Sequence, residues 1–191
     1  MIALETERLM IRRFTEADAE FILGLLNQPS FLRYIGDKGV RTIDDAVRYI
    51  QNGPIASYER VGYGPYLVKL KDSGVSIGMC GLLKRDTLPD ADVGFAFLPD
   101  YWSQGYASEA VGAVMTYGKD VLGLRRIVAI TSLDNNASIR LLEKVGLKFE
   151  GIITLPEQGE VRLFGTESTP GDVRAGVRPR SWTRGHLDSL D

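Results

Sequence analysis

The chain has 191 residues, 44% of them hydrophobic and 25% charged, which suits one domain with a real core. Its 23 basic and 25 acidic side chains give a formal charge of −2, too little for a broad basic field that would hold nucleic acid. A single cysteine, Cys80, excludes an intrachain disulfide framework, and a single histidine, His186, argues against Ser-His-Asp, Cys-His and histidine-zinc chemistry.

Leu4, Leu9 and Ile11 alternate with polar neighbours, which predicts a strand over 3–13. Thr15 with Asp18 resembles a capping box and opens a helix carrying Phe21, Ile22, Leu25 and Leu26, ended by Pro29. Thr42 and Asp45 repeat the signal for a helix with Ala46, Val47 and Ile50, stopped by Gly53-Pro54. Runs 66–70 and 75–83, joined by a turn at 71–74, predict a hairpin. Residues 93–98 read as a strand, then a glycine-containing loop, 102–108, opens a helix with Ala110, Val111, Val114, Met115, Gly118, Val121 and Leu122 on one face. A strand at 125–131 precedes a helix capped by residues 134–136 and ended by Gly146, and final strands follow at 147–153 and 160–166. The order predicts a mixed α/β domain over 1–167 with a partly antiparallel sheet and a parallel crossover at 93–131. Residues 168–191 have lost the pattern and are expected to form an irregular or flexible tail. No apolar run is long enough to span a membrane and no signal-peptide layout opens the chain, so a cytoplasmic, membrane-free protein is expected.

The strand–loop–helix at 93–131 carries the strongest chemical signal. First-turn N–H groups of a helix lack intrahelical partners and, with the helix dipole, make an anion site. Gly105 allows close backbone approach, and Ala107 and Ser108 keep the approach open; a pyrophosphate is the natural guest. Gly62 and Gly64 begin like a dinucleotide fingerprint, but the third glycine is missing and a strand, not a helix, follows.

The run Asp92-Val93-Gly94-Phe95-Ala96-Phe97-Leu98-Pro99-Asp100-Tyr101-Trp102-Ser103-Gln104-Gly105-Tyr106-Ala107-Ser108-Glu109-Ala110 resembles the acetyl-CoA motif of the GNAT superfamily of N-acetyltransferases. It is most similar to the ribosomal-protein (RimJ/RimL-like) branch. Residues 135–146 resemble that superfamily's second motif, and Glu5-Thr6-Glu7-Arg8-Leu9 resembles the branch's opening, so the resemblance covers about residues 3–167 in order. It implies a splayed sheet of about six to seven strands flanked by about four helices. It also implies a pantetheine arm bonded to backbone near Phe97 and Leu98, and a pyrophosphate on the N–H groups of Ser103, Gln104, Gly105, Tyr106, Ala107 and Ser108. Asn135 would hold the cofactor arm, and a backbone N–H near Phe97 and Leu98 would polarise the thioester carbonyl. Acetyl-CoA and an amine acceptor are the implied partners, no metal is implied, and a homodimer is compatible.

Two departures matter. Trp102 stands where Gln or Arg is usual, and Leu142 stands where the family often has a tyrosine general acid; Ser138, one helical turn earlier, is the nearby hydroxyl. An α-amine with a pKa of about 8 costs only about 1.4 kcal/mol to deprotonate at pH 7, against about 4.6 kcal/mol for lysine. A thiolate of pKa about 8.5 leaves without a strong acid. Loss of the tyrosine is therefore survivable. Asp92 is the first candidate base and a solvated strand-end carboxylate the alternative; Glu160 is the second candidate. Ser138 and Asn135 also read as helix-capping residues, and Cys80 reads as a buried small hydrophobe. Phe31, Tyr34, Tyr58 and Tyr63 could line an acceptor pocket or simply pack. The expected function is acetyl transfer to a protein N-terminal amine, with a small amine or amino acid as the next acceptor. A catalytically silent CoA-binding module stays open because of Leu142.

Overall fold

A computed structural model describes residues 2–156 and 158–167; the segment 168–191, with His186, lies outside them. Strands are β1 (Ile2–Glu5), β2 (Leu9–Arg13), β3 (Pro65–Leu70), β4 (Ser76–Leu83), β5 (Ala91–Phe97), β6 (Ile127–Ser132), β7 (Lys148–Leu155) and β8 (Gly159–Gly165). Helices are α1 (Ala19–Leu26), α2 (Pro29–Tyr34), α3 (Ile43–Ile50), α4 (Ala56–Val61), α5 (Tyr106–Asp120) and α6 (Asn136–Lys144). The strands form one sheet in the order β1-β2-β3-β4-β5-β6-β8-β7. All its pairs are antiparallel except β5 with β6.

The mixed α/β reading holds, with eight strands among the described residues where six to seven were expected. The strand expected at 3–13 is a hairpin. Its turn is closed by Thr6, whose N–H donates to Leu9 O at 3.0 Å while its Oγ1 accepts from Leu9 N at 2.9 Å. Pro29 does not merely stop α1; it begins α2, where its missing N–H is no loss. Gly53-Pro54 does not end the helical run either. A π-turn, Gln51–Ile55, takes Pro54 inside it and passes the chain into α4. The wider turn moves the proline ring off the carbonyl it would strike in an α-helix. With α3 and α4 joined in this way, five helical segments among the described residues flank the sheet rather than four.

Capping is as the sequence indicated for α3: Asp45 N donates to Thr42 Oγ1 at 3.1 Å, and Thr42 N donates to Asp45 at 2.9 Å. One face of the sheet packs Val93, Phe97, Ile127 and Ala129 against Ala110, Val111, Val114 and Met115 of α5. The other face packs Leu67, Ala96 and Leu98 under Ile22, Leu25, Phe31, Ala46 and Ile50 of α1, α2 and α3. Gly118 makes the first packing close: a Cβ there would lie 2.9 Å from both Leu82 Cδ1 and Ile127 Cδ1. Among the described residues no helix is long and apolar enough to cross a membrane.

Candidate active site

The parallel ladder between β5 and β6 pairs Ala91 with Ile127 and Asp92 with Val128, then ends, while β5 continues to Phe97 and β6 to Ser132. The two strands therefore splay. On the other edge of β5, β4 is paired from Gly78–Phe97 to Leu83–Asp92. Backbone groups alternate between the two edges of a strand. Leu98 N donates to Ile77 O at 2.9 Å, so its parity faces β4, and the backbones of Phe95 and Phe97 face the splay. Of the two positions the sequence singled out, Leu98 has its N–H committed to the sheet, and Phe97 keeps its N–H toward the cleft. The Phe97 carbonyl accepts from Trp102 Nε1 at 2.8 Å. That bond gives Trp102 a role in fixing the end of β5.

Beyond β5, Ser103 (φ 59°) and Gly105 (φ 84°) both occupy the left-handed region. Gly105 is the N-cap of α5, and the first intrahelical bond is Glu109 N to Gly105 O at 3.0 Å. Among the described residues, the N–H groups of Ser103, Gln104, Gly105, Tyr106, Ala107 and Ser108 have no protein acceptor. Six donors gathered at a helix N-terminus fit a pyrophosphate. Ser103 in the left-handed region costs about 1 kcal/mol relative to glycine. Ser103→Gly is expected to raise thermal stability by about that amount, read as a higher Tm in calorimetry; a lower Tm would mean that the seryl side chain contributes more than its strain.

A clamp holds this loop. Glu109 accepts from Thr6 Oγ1 (2.5 Å), Arg8 N (2.9 Å), Arg8 Nε (2.7 Å) and Arg8 Nη2 (2.7 Å). Arg8 Nη1 also donates to Gln104 O at 3.0 Å, and its guanidinium lies 4.4 Å from the Tyr106 ring centroid. Burial pushes the Glu109 pKa up, but the bonds from Thr6 and Arg8 outweigh it and the net shift is downward. The sequence reading used Thr6 and Arg8 for resemblance and gave them no task, because their partner lies a hundred residues away.

Beside the far wall of the cleft, Asn135 caps α6, its Oδ1 accepting from Ser138 N at 3.1 Å. Its amide nitrogen has no protein partner among the described residues. Ser138 is half-buried, and Leu142 is buried at 1% exposure. The Ser132 hydroxyl, at the end of β6, is buried beside Asp134 without a hydrogen bond of normal geometry. Glu160 is exposed at the start of β8.

Asp92 sits where the splay begins, at 1% exposure. Arg85 Nε donates to both of its oxygens, at 3.0 and 3.1 Å. Burial raises the Asp92 pKa, and Arg85 opposes this without cancelling it. The side chain shares the α1–α3 side of the sheet with Ala96 and Leu98. Of the four aromatics, Phe31 and Tyr58 are core residues; Tyr58 stacks on Tyr66 at 5.5 Å and donates its hydroxyl to Pro65 O. Tyr34 is half-buried under Arg33, and Tyr63 is buried within electrostatic reach of Asp92. An open cavity of about 450 Å³ lined by Lys38, Val40, Arg48, Tyr49 and Asn52 shares no residue with the cleft. Among the described residues no group of three His, Cys, Asp or Glu side chains could hold a metal ion.

Comparison with known proteins agrees with this geometry. The Acetyltransferase (GNAT) domain family matches residues 8–148. An uncharacterized N-acetyltransferase of Bacillus subtilis, YoaA, is 35% identical over 152 residues, covering 78% of this chain and 85% of that protein. The crystal structure of a GNAT-family acetyltransferase from Bacillus anthracis superposes with a TM-score of 0.72 at 27% identity, covering 86% of this chain and 97% of that one. RimL, a ribosomal L7/L12 α-N-protein acetyltransferase solved with coenzyme A, shares the fold with a TM-score of 0.76 at 20% identity, covering 88% and 98%. The splayed β5–β6 pair, the donor-lined loop and the family match together place this chain in the GNAT family as an acetyl-CoA-dependent N-acyltransferase.

Proposed function

We propose that the acceptor is a protein N-terminal α-amine, attacked directly while cofactor and acceptor are bound together. The observation that carries this is the weakness of the acid–base equipment beside the cleft: a buried Leu142 on α6, a half-buried serine hydroxyl, and a carboxylate at 1% exposure. Such a site suits an amine whose deprotonation costs about 1.4 kcal/mol better than one that costs about 4.6 kcal/mol. Similarity in fold to RimL, a ribosomal-protein α-N-acetyltransferase, supports the same acceptor class.

Acetyl-CoA supplies the acetyl group as a thioester. The N–H groups of Ser103 to Ser108 bind its pyrophosphate, and the Asn135 amide and the cleft-facing backbone of Phe95 and Phe97 hold its arm. One of the cleft-facing N–H groups of Phe95 and Phe97 would be the fixed dipole that polarises the carbonyl oxygen. As the amine nitrogen forms its bond to the acetyl carbon, the carbon–sulfur bond breaks. Ser138 Oγ donates its proton to the departing sulfur and is reprotonated through water by the proton that the amine gives up to Asp92, so that both side chains end as they began. The proton lost by the amine passes through water to Asp92, whose raised pKa suits it to receive one.

The test is calorimetric titration with acetyl-CoA, then free-thiol release against N-terminal peptides, free amino acids and small amines. Fastest release with peptides is the expected result. Fastest release with small amines would replace the acceptor, and binding without release from any amine would favour the silent module. Ser138→Ala is expected to lower kcat about tenfold or more with little change in acetyl-CoA affinity. Unchanged turnover would remove Ser138 as proton donor.

A further inference from the structure

We infer that the acceptor carries a carboxylate close to its amine and that the guanidinium of Arg85 receives it. This inference rests on the acetyl-transfer reading above and names the acceptor more narrowly.

Arg85 lies in the loop between β4 and β5, with its side chain 33% exposed over a carboxylate that is 1% exposed. Its Nε is spent on the two oxygens of Asp92. Its Nη1 and Nη2 have no hydrogen-bond acceptor among the described residues. A guanidinium is planar and its donors are fixed relative to one another, so a head anchored through Nε presents its remaining donors in a set direction. Two parallel N–H groups match the two oxygens of a carboxylate better than any neutral partner.

Asp92 neutralises one unit of charge, and further cations stand close by. Arg60 Nη2 reaches Lys84 O at 3.4 Å, which brings a second guanidinium to the base of the same loop as Lys84 and Arg85. Of the loop's other carboxylates, Asp86 follows Arg85 directly in the chain but forms no ion pair with it among the described residues, and Asp90 is engaged by Arg126 at 3.1 Å.

The placement explains why a carboxylate near the amine matters. Asp92 stands at the residue pair where β5 and β6 part, so Arg85 flanks the start of the splay. It does so from the α1–α3 side of the sheet, opposite α5. A carboxylate seated on the Nη groups would hold the adjoining amine at the cleft instead of letting it range over the surface. The carboxylate has two chemical sources: an acidic side chain at a peptide's first position, or the α-carboxylate of a free amino acid.

Matched acceptors separate these sources by thiol release from acetyl-CoA. Glu-Ala-Ala-amide and Gln-Ala-Ala-amide differ only in a side-chain carboxylate; glutamine and glutamine amide differ only in the α-carboxylate. The expected result is a preference of about tenfold or more in kcat/KM for the carboxylate member of at least one pair. Arg85→Lys, which keeps a cation against Asp92 but loses the fork, is expected to cut that preference to about threefold or less. The variant Arg85→Gln, which keeps Asp92 and a neutral donor against it but removes the guanidinium, is expected to abolish it. Equal rates within both pairs overturn the inference and leave acetyl transfer to peptide N-termini standing. A preference that survives in both variants overturns the assignment to Arg85. Release with glutamine over its amide, and with neither peptide, upholds Arg85 and overturns the N-terminal reading. Release with none of the four overturns both.

Discussion

Replacing Gly105 with valine is expected to raise the Kd for acetyl-CoA at least about tenfold while leaving a folded protein. Gly105 holds φ at 84°, a conformation in which a β-branched residue is a genuine outlier. A side chain there meets a second obstacle, because its Cβ would lie 3.2 Å from Arg8 Nη2. Arg8 is a long side chain and ordinarily would swing aside, but Glu109 and the Gln104 carbonyl hold it. The chain can relieve the strain only by rotating Gly105 out of the left-handed region. That rotation turns the N–H groups of the loop away from their common focus. The stability cost is about 2 kcal/mol, so circular dichroism at 25 °C should be unchanged while Tm falls by several degrees. Calorimetric titration of the folded variant measures the affinity. Wild-type affinity in Gly105→Val would mean that the cofactor phosphates do not rest on this loop.

How much of this was legible in the sequence depended on how local the cause is. The capping pair Thr42 and Asp45, the hairpin of β3 and β4, and the glycine-containing loop that opens α5 each depend on residues within a few positions, and all three were read correctly. Pro29 and Pro54 were read as stops because proline cannot continue a regular α-helix. Their actual effects, a new N-terminus and a π-turn, depend on the apolar residues Phe31, Ile50 and Tyr58, which hold the chain on the sheet on both sides of each proline. The hairpin of β1 and β2 was missed because its turn, Thr6 to Arg8, contains no glycine, proline, asparagine or aspartate to mark a break.

The site divides in the same way. The loop donors were legible because a glycine-containing loop before a helix exposes N–H groups whatever lies around it. Asn135 as the cap of α6 was legible for the same reason. Arg85 carried no signal, since a lone arginine in a polar loop reads as solvated. It acquires meaning only when Asp92, seven residues later on the next strand, is found beneath it at 1% exposure. Leu98 shows the limit of counting along a motif: neighbouring positions on β5 face opposite edges, so one N–H enters the sheet and the next faces the cleft.

Glu109→Ala is expected to weaken acetyl-CoA binding about tenfold and to destabilise the fold by about 2 kcal/mol. Glu109 is the one acceptor shared by Thr6 and by three donors of Arg8, and its side chain is 19% exposed against 43% for Arg8. Its loss leaves the β1–β2 turn without its tie to α5 and releases the guanidinium that braces the Gln104 carbonyl. The loop donors would then be ordered by the cofactor at the moment of binding, and that ordering entropy appears as lost affinity. The effect carries a pH signature. The folded-state pKa of Glu109 lies below its ordinary value, so its contribution is fully present above the unfolded pKa of about 4.3 and is lost as pH falls through the folded value. The stability gap between wild type and Glu109→Ala should therefore be largest near neutral pH and close as the solution is acidified below about pH 4. Urea unfolding at stepped pH values measures it. A double-mutant cycle with Arg8→Ala should return a coupling of about 1 kcal/mol or more at pH 7. Additive effects at pH 7, or a gap that does not change with pH, would show that Glu109 acts by filling space and not as the charged centre of the clamp.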